Sequence, residues 1–302
     1  MTNIRRILCP VDFSEYSRQA LDFAVAIARW YNARITVLFV RGFTAPVLVT
    51  GPFVGTEVLG GHHLTERERD ELQRYLDDFV ASDRAAGAPI DTALEQDYSI
   101  AGCIIEQAHA LDADLITMGT HGRSGLDHVL LGSVAEKVLR KAPCPVLTVP
   151  PLTREAVPLA LERIVCAVDF SKRSASELEY AVSLAERAKA RLTVLHVIDL
   201  PPEVPQQRAG GLAEYRSARF EQARGWMQEL VRMPLRDRCT IDELLLVGTP
   251  SREIVRIAAE QNADLVIMGV QGRGALNVMF FGSTTEHVVR HAACPVLTVR
   301  AK

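Results

Sequence analysis

At 302 residues, with 48% hydrophobic and 24% charged residues, the chain has the length and apolar content for two ordinary domains with real cores, which excludes a disordered polypeptide. A net charge of −3 excludes the strongly basic face of a non-specific nucleic-acid or membrane-surface binder. No apolar run reaches membrane-spanning length, and the start MTNIRRILCPVDF carries no signal-peptide pattern, so the expected compartment is the cytoplasm.

The elements alternate from the amino end. Residues 7–12 are a short apolar strand, followed by a helix capped by Ser14 or Ser17 with Ala20, Leu21, Ala24, Ile27 and Ala28 on one face. ITVLFV at 35–40 is a continuous apolar strand, as expected where helices cover both faces of a sheet. A Gly-rich loop leads to a charged helix, opened by the capping box Thr65-x-x-Glu68 and turning Leu72, Leu76, Phe79 and Val80 inward. A strand at 90–95, a helix containing 104–111, a strand at 115–118, a helix at 133–139 and a strand at 146–149 complete the first half.

The order then repeats, with strands at 164–169, 192–197, 243–247, 265–268 and 296–299 and helices at 174–188, 212–231, 252–259 and 284–291. Strand–helix alternation predicts right-handed crossovers and a parallel, doubly wound sheet in each half. In such sheets ligands bind beyond the carboxyl ends of the strands, where strand order reverses. Asp169 follows Asp12 by 157 residues and Gly269 follows Gly119 by 150, so the first copy is longer in its middle, around 50–63. The expected domains are 1–152 and 158–302, divided at the proline-rich PPLTREAVP of 150–158. Repeats of this length are whole domains, not solenoid units.

The repeated chemistry is a glycine-spaced loop. DLITMGTHGRSGLDHVLLGS at 114–133 and DLVIMGVQGRGALNVMFFGS at 264–283 both contain G-x2-G-x9-G-S, as Gly119, Gly122, Gly132, Ser133 and Gly269, Gly272, Gly282, Ser283. Glycines let backbone amides approach an anion closely, and the following helix start adds a favourable dipole, so the pattern predicts a phosphate cradle. Ser133 and Ser283 have a second reading, because each begins a capping-box pattern with Glu136 or Glu286. Asp12 and Asp169 either cap the coming turn or accept hydrogen bonds from the adenosine half of a nucleotide. His121 aligns with Gln271, which confines any acid–base role for an imidazole to one half. Arg123 and Arg273 either add charge to the cradle or face solvent. His62 and His63 lack a fixed third metal ligand. The cysteines show no C-x-x-C, and Cys9, Cys144, Cys166 and Cys294 read as small core residues, not disulfide partners.

There is no Walker G-x-x-x-x-G-K-[ST], no G-x-G-x-x-G after the first strand and no G-x-S-x-G elbow. Without a candidate base or metal set, binding is better supported than turnover.

On ILCPVDFS and IVCAVDFS, ITVLFV and LTVLHV, the two glycine loops and CPVLTV at both ends, the chain resembles the universal stress protein family in its tandem form, over nearly all of its length. The glycine motif is similar to that of the ATP-binding branch. The resemblance implies two Rossmann-like, adenine nucleotide alpha hydrolase-like α/β domains, each with a five-stranded parallel sheet. It also implies ATP or a related adenine nucleotide as ligand, with Mg²⁺ or Mn²⁺ in attendance, in a nucleotide-dependent stress-response regulator with at most slow ATP hydrolysis. Adenosine-side contacts would fall on Pro10, Val11, Asp12, Val40 and Met118, and on Ala167, Val168, Asp169, Val197 and Met268. Phosphate-side contacts would fall on Gly119, His121, Gly122, Gly132, Ser133 and Val134, and on Gly269, Gln271, Gly272, Gly282, Ser283 and Thr284. The last strands would pair the domains internally, with further dimerisation and an unidentified protein partner left open. The alternatives are a nucleotide-hydrolysing or adenylyl-transferring enzyme on the same fold, and a protein-interaction module with an empty loop.

Three positions depart from the pattern. Ala167 stands where the first copy has Pro10, and Gln271 where it has His121. D-Y-S-I-A at 97–101 replaces the family-like V-G-T-P-S of 247–251, which predicts unequal affinity in the two halves.

Overall fold

The structure, a computed structural model, describes residues 3–43, 47–51, 55–59, 63–121, 131–151, 160–199, 211–270 and 281–300, with 47–51, 55–59 and 211–213 described by their backbone alone. The first half contains β1 (Arg6–Val11), α1 (Glu15–Tyr31), β2 (Arg34–Gly42), β3 (Val47–Gly51), β4 (Gly55–Leu59), α2 (Glu66–Ala85), β5 (Ile90–Asp97), α3 (Ile100–Ala110), β6 (Leu115–Gly119), α4 (Ser133–Lys141) and β7 (Val146–Val149). The second contains β8 (Arg163–Ala167), α5 (Ser174–Ala188), β9 (Arg191–Ile198), α6 (Gly211–Leu230), α7 (Met233–Arg236), β10 (Ile241–Val247), α8 (Pro250–Glu260), β11 (Leu265–Gly269), α9 (Ser283–His291) and β12 (Val296–Val299).

Each half contributes five parallel strands, and the two sets join into one ten-stranded sheet of order β10-β9-β8-β11-β12-β7-β6-β1-β2-β5. The joint is the antiparallel pair β7–β12, with Leu147 opposite Leu297, Val146 opposite Thr298 and Thr148 opposite Val296. Two edges that would otherwise be open templates for wrong pairing therefore satisfy each other. The extra length of the first half includes the antiparallel hairpin β3–β4, which the expectation of a plain loop missed.

Strand alternation sorts the core into two layers. Ile7, Cys9 and Val11 point to the face covered by α1, α2, α5 and α6, while Leu8 points to the face covered by α3, α4, α8 and α9. Both layers run through the joint, since Leu147 and Leu297 share the first and Val146 and Val296 the second. Further ties cross between the halves. The buried Tyr31 hydroxyl meets Ser183 Oγ at 2.7 Å, Arg187 lies 4.5 Å over the Tyr31 ring, and Arg300 donates to the Arg140 carbonyl at the end of α4 at 2.6 Å.

Local signals account for the starts of α1 and α2. Ser14 caps α1 by accepting from the Ser17 amide, and Thr65 and Glu68 form the full capping box of α2. The positions foreseen on the inner face of α1, Ala20, Leu21, Ala24, Ile27 and Ala28, are all buried. Leu76 and Val80 of α2 are fully buried, with Leu72 and Phe79 partly so. The cysteines carry no disulfide, and Cys9, Cys103, Cys144, Cys166 and Cys294 are buried. No described helix is long and apolar enough to cross a membrane.

Candidate functional site

In the first half β1 lies between β2 and β6. The chain winds outward from β1 through β2 to β5, then returns to the other side of β1 as β6 and β7, so strand order reverses between β1 and β6. Pro10, Val11 and Asp12 at the end of β1, Val40 near the end of β2, and Met118 and Gly119 at the end of β6 gather on that rim with the start of α4. The second half repeats this with Ala167, Val168 and Asp169 after β8, Val197 of β9, Met268 and Gly269 of β11, and the start of α9. Ala167 ends β8 one residue earlier than β1 ends, but the Val168 amide still donates to the Leu195 carbonyl at 2.9 Å, so the ladder is not loosened there.

Each glycine loop is tied at its base. The Gly132 amide donates to the Thr120 carbonyl at 2.8 Å, and the Gly282 amide to the Val270 carbonyl at 3.0 Å. In turn Thr120 and Val270 donate to the carbonyls of Val149 and Val299 at 2.9 and 3.1 Å, anchoring both loop bases to the last strands. These ties place the loop ends side by side at the carboxyl edge of the sheet. Gly122, Gln271 and Gly272, with Arg123 and Arg273, lie outside the described residues, as does His62.

The two glycines that bound the first loop have little room. A Cβ on Gly119 would meet Tyr16 Cβ at 3.1 Å and the His121 carbonyl at 3.2 Å, and one on Gly132 would meet the Thr120 carbonyl at 3.1 Å. A charged substitution at Gly132 would therefore disturb the loop base as well as a ligand.

The capping-box reading of Ser133 and Ser283 is not what forms. Gly132 and Gly282 occupy the N-cap positions, no side chain caps either helix, and the serines are the first helical residues. The reason is geometric. Each glycine carbonyl accepts the first helical bond, from Glu136 at 2.9 Å or Glu286 at 2.8 Å. Those glutamates pair forward along the helix with Arg140 and Arg290 at 2.7 and 2.8 Å. The amides of Ser133, Val134 and Ala135, and of Ser283, Thr284 and Thr285, thus lie ahead of the first intrahelical bond. Ser133 and Ser283 are exposed, with Val134 and Thr284 half-buried behind them.

Asp12 and Asp169 serve their turns. Asp12 Oδ1 accepts from the Ser14 amide at 3.1 Å and from Ser14 Oγ at 2.5 Å. Asp169 Oδ1 accepts from the Ser171 amide at 2.8 Å and from Ser174 Oγ at 2.9 Å. The residue after each, Phe13 at φ 64° and Phe170 at φ 58°, is left-handed, a strained state for an aromatic residue. Each ring is held by an aromatic neighbour: Phe13 stacks on Phe39 at 4.6 Å, and Phe170 packs tilted against His196 at 4.2 Å. His121 Nδ1 bonds Thr120 Oγ1 at 2.9 Å, and its ring sits 6.0 Å from that of Tyr16.

D-Y-S-I-A makes its own helix start. Asp97 accepts from the Ser99 amide at 2.7 Å and Ser99 Oγ from the Gly102 amide at 3.1 Å, so α3 opens at Ile100, in register with Pro250 of α8. Substitution there leaves the sheet edge alike in the two halves. Sequence reasoning missed Tyr16 at the back of Gly119 and Glu177 beneath the second turn. Burial pushes the Glu177 carboxyl up to about 8, reinforced by the charge of Asp169. Glu177 could have been found from its place on the inward stripe with Leu178 and Ala181. Among the described residues, no group of three or more His, Cys, Asp or Glu is placed to hold a metal ion.

Comparison with known proteins assigns the family. A model of the universal stress protein family matches twice, at residues 3–150 and 160–300. Universal stress protein E of Photorhabdus laumondii is 24% identical over 99% of this chain and 96% of its own length. A universal stress protein of Methanocaldococcus jannaschii is 36% identical over 48% of this chain and 81% of its own. The solved universal stress protein of Archaeoglobus fulgidus shares the fold at a TM-score of 0.64, with 24% identity, covering 99% of this chain and 97% of that one. The chain belongs to the universal stress protein family, as two family domains in tandem.

Proposed function

We propose that this protein binds an adenine nucleotide, ATP in the first instance, at the rim of each of its units 1–152 and 158–302, and works as a nucleotide-dependent stress-response regulator. The observation that carries the reading is the uncapped start of α4 and α9 beside a loop base tied by Gly132 or Gly282. Helix amides ahead of the first intrahelical bond, at the positive end of a helix dipole, suit phosphate oxygens. The crowding at Gly119 and Gly132 fits a cradle built from backbone. Ser133 and Ser283, which cap neither helix, would donate to the same oxygens. The adenosine half would lie against Val11, Val40 and Met118 in one unit, and against Val168, Val197 and Met268 in the other. Mg²⁺ or Mn²⁺ would be carried by the phosphates.

Nucleotide bound at the rim would change the surface offered to a protein partner. Heat denaturation of freshly purified protein should release adenine nucleotide, and calorimetry with ATP and Mg²⁺ should give two sites per chain. Absence of both signals would leave the interaction-module reading standing. Turnover of ATP at about 1 per second or faster would favour the enzyme reading instead.

A further inference from the structure

The two rims differ beneath their aspartates. In the first half Ser17 Oγ donates to the Ser14 carbonyl at 2.9 Å, and the next inward position is the fully buried Ala20. In the second half the corresponding serine, Ser174, is fully buried and turned to the aspartate, donating to Asp169 Oδ1 at 2.9 Å and accepting from the Asp169 amide at 3.3 Å. The position matching Ala20 is Glu177, a carboxyl only 3% exposed, which shares the Ser174 hydroxyl. Asp169 Oδ2 is buried with no hydrogen-bond partner among the described residues. Two carboxyl groups thus converge on one serine, under a turn whose next residue, Phe170, is held at φ 58°.

We propose that Glu177 is a positioning residue for the second nucleotide site: as a neutral acid it lets Asp169 hold the 169–171 turn, and its ionisation unfastens that turn. The inference rests on the nucleotide reading of the rim. The titratable groups that act on Glu177 are Asp169 beyond β8 and Arg173 beside α5, with Cys166 on β8 coupled to it; β9 contributes His196, which sits against Phe170. His196 Nδ1 donates to the Val168 carbonyl at 2.8 Å, while β11 (LVIMG) and β12 (VLTV) bring no titratable side chain. The Ser174 hydrogen bond and the Arg173 charge favour ionised Glu177, but burial and the Asp169 charge outweigh them, and the carboxyl is held up to about 8. At neutral pH Glu177 is therefore mostly the neutral acid. Once both ionise, repulsion in a buried setting drives Asp169 from Ser171 and Ser174. The left-handed Phe170 then loses the bond that sustains its strain. The first half, with Ala20 at this place, has no such response.

The test has two arms. In a Trp30→Phe background, Trp226, whose ring lies 5.7 Å from that of Phe170, reports the turn without nucleotide. Its emission should change between pH 7 and 9.5 with a midpoint near 8, and Glu177→Gln should abolish the change. In the second arm, Ser133→Asp closes the first site and ATP is titrated into the second. Affinity should fall about tenfold from pH 7 to pH 9 as the competent fraction shrinks, and should stay level in Glu177→Gln. Glu177→Ala, the side chain the first half already carries, serves if the glutamine variant does not fold. A Trp226 titration or an ATP profile that survives the substitution overturns the proposal. A protein that binds no ATP at any pH overturns the nucleotide reading instead, and the Trp226 arm still decides the role of Glu177.

Discussion

Thr148 and Thr298 hold the two halves together by the same bond made twice: Thr148 Oγ1 donates to the Val296 carbonyl and Thr298 Oγ1 to the Val146 carbonyl, each at 3.1 Å and each fully buried. Because their settings match, Thr148→Val and Thr298→Val should each cost about 1 kcal/mol, with similar shifts in urea midpoint and an unchanged slope. A large loss from one and none from the other would show that the joint is not symmetric in solution.

Exposed Ser133 and Ser283 allow each rim to be closed separately. Asp at the first helical position favours the helix but repels phosphate. Ser133→Asp and Ser283→Asp should each remove one of two ATP equivalents in calorimetry while moving stability by less than about 0.5 kcal/mol. Two equivalents retained in both variants would exclude the helix starts as the phosphate site.

Gly119→Ala and Gly132→Ala should behave differently from those serine variants. The added methyl meets Tyr16 and the His121 carbonyl in one case, and the Thr120 carbonyl in the other. Overpacking of this kind costs roughly 1–3 kcal/mol. Thermal unfolding should register the loss with or without nucleotide, and an unchanged melting temperature would mean that the loop base gives way freely.

Glu177 also makes stability depend on pH. Its folded value, about 8, is raised above the ordinary value of 4.5, so the folded state binds the proton more tightly than the unfolded one. The penalty is absent below about pH 4.5, grows through the interval, and is complete above about pH 8. Glu177→Gln should therefore be more stable than the parent at pH 9, by up to a few kcal/mol, with the gap closing towards pH 5. Denaturant midpoints across that range check the sign.

Of the six cysteines, only Cys239 is more than marginally accessible. Burial pushes the thiols of Cys9 and Cys294 up to about 12 and that of Cys103 to about 11. Native protein at pH 8 should consume about one equivalent of a thiol reagent, at Cys239, and Cys239→Ser should abolish that fast phase.

Periodicity made most of this architecture legible. ITVLFV could be little else than a strand covered on both faces, and 174–188 coincides with α5 (Ser174–Ala188). The edge pairing was implied by the resemblance to universal stress proteins, not by periodicity. The capping box at 133–136 was misread because the pattern of residue types is the same whether Ser133 stands before the helix or opens it. The Gly132–Thr120 tie decides that, and it is a contact between residues twelve apart. Asp12 could not be resolved from sequence between cap and ligand, because its serine partners also suit a helix start. The hairpin β3–β4 and the short α7 (Met233–Arg236) escaped because neither has enough length for a period to show.

The antiparallel seam between β7 and β12 turns the two sets of parallel strands head to foot. Their carboxyl ends therefore open on opposite sides of the molecule, back to back. A ligand leaving one rim could not pass directly to the other, and any coupling between the rims would travel through the shared sheet. A single small partner would sense one rim at a time; reading both together would take a partner that straddles the sheet, or two copies of one.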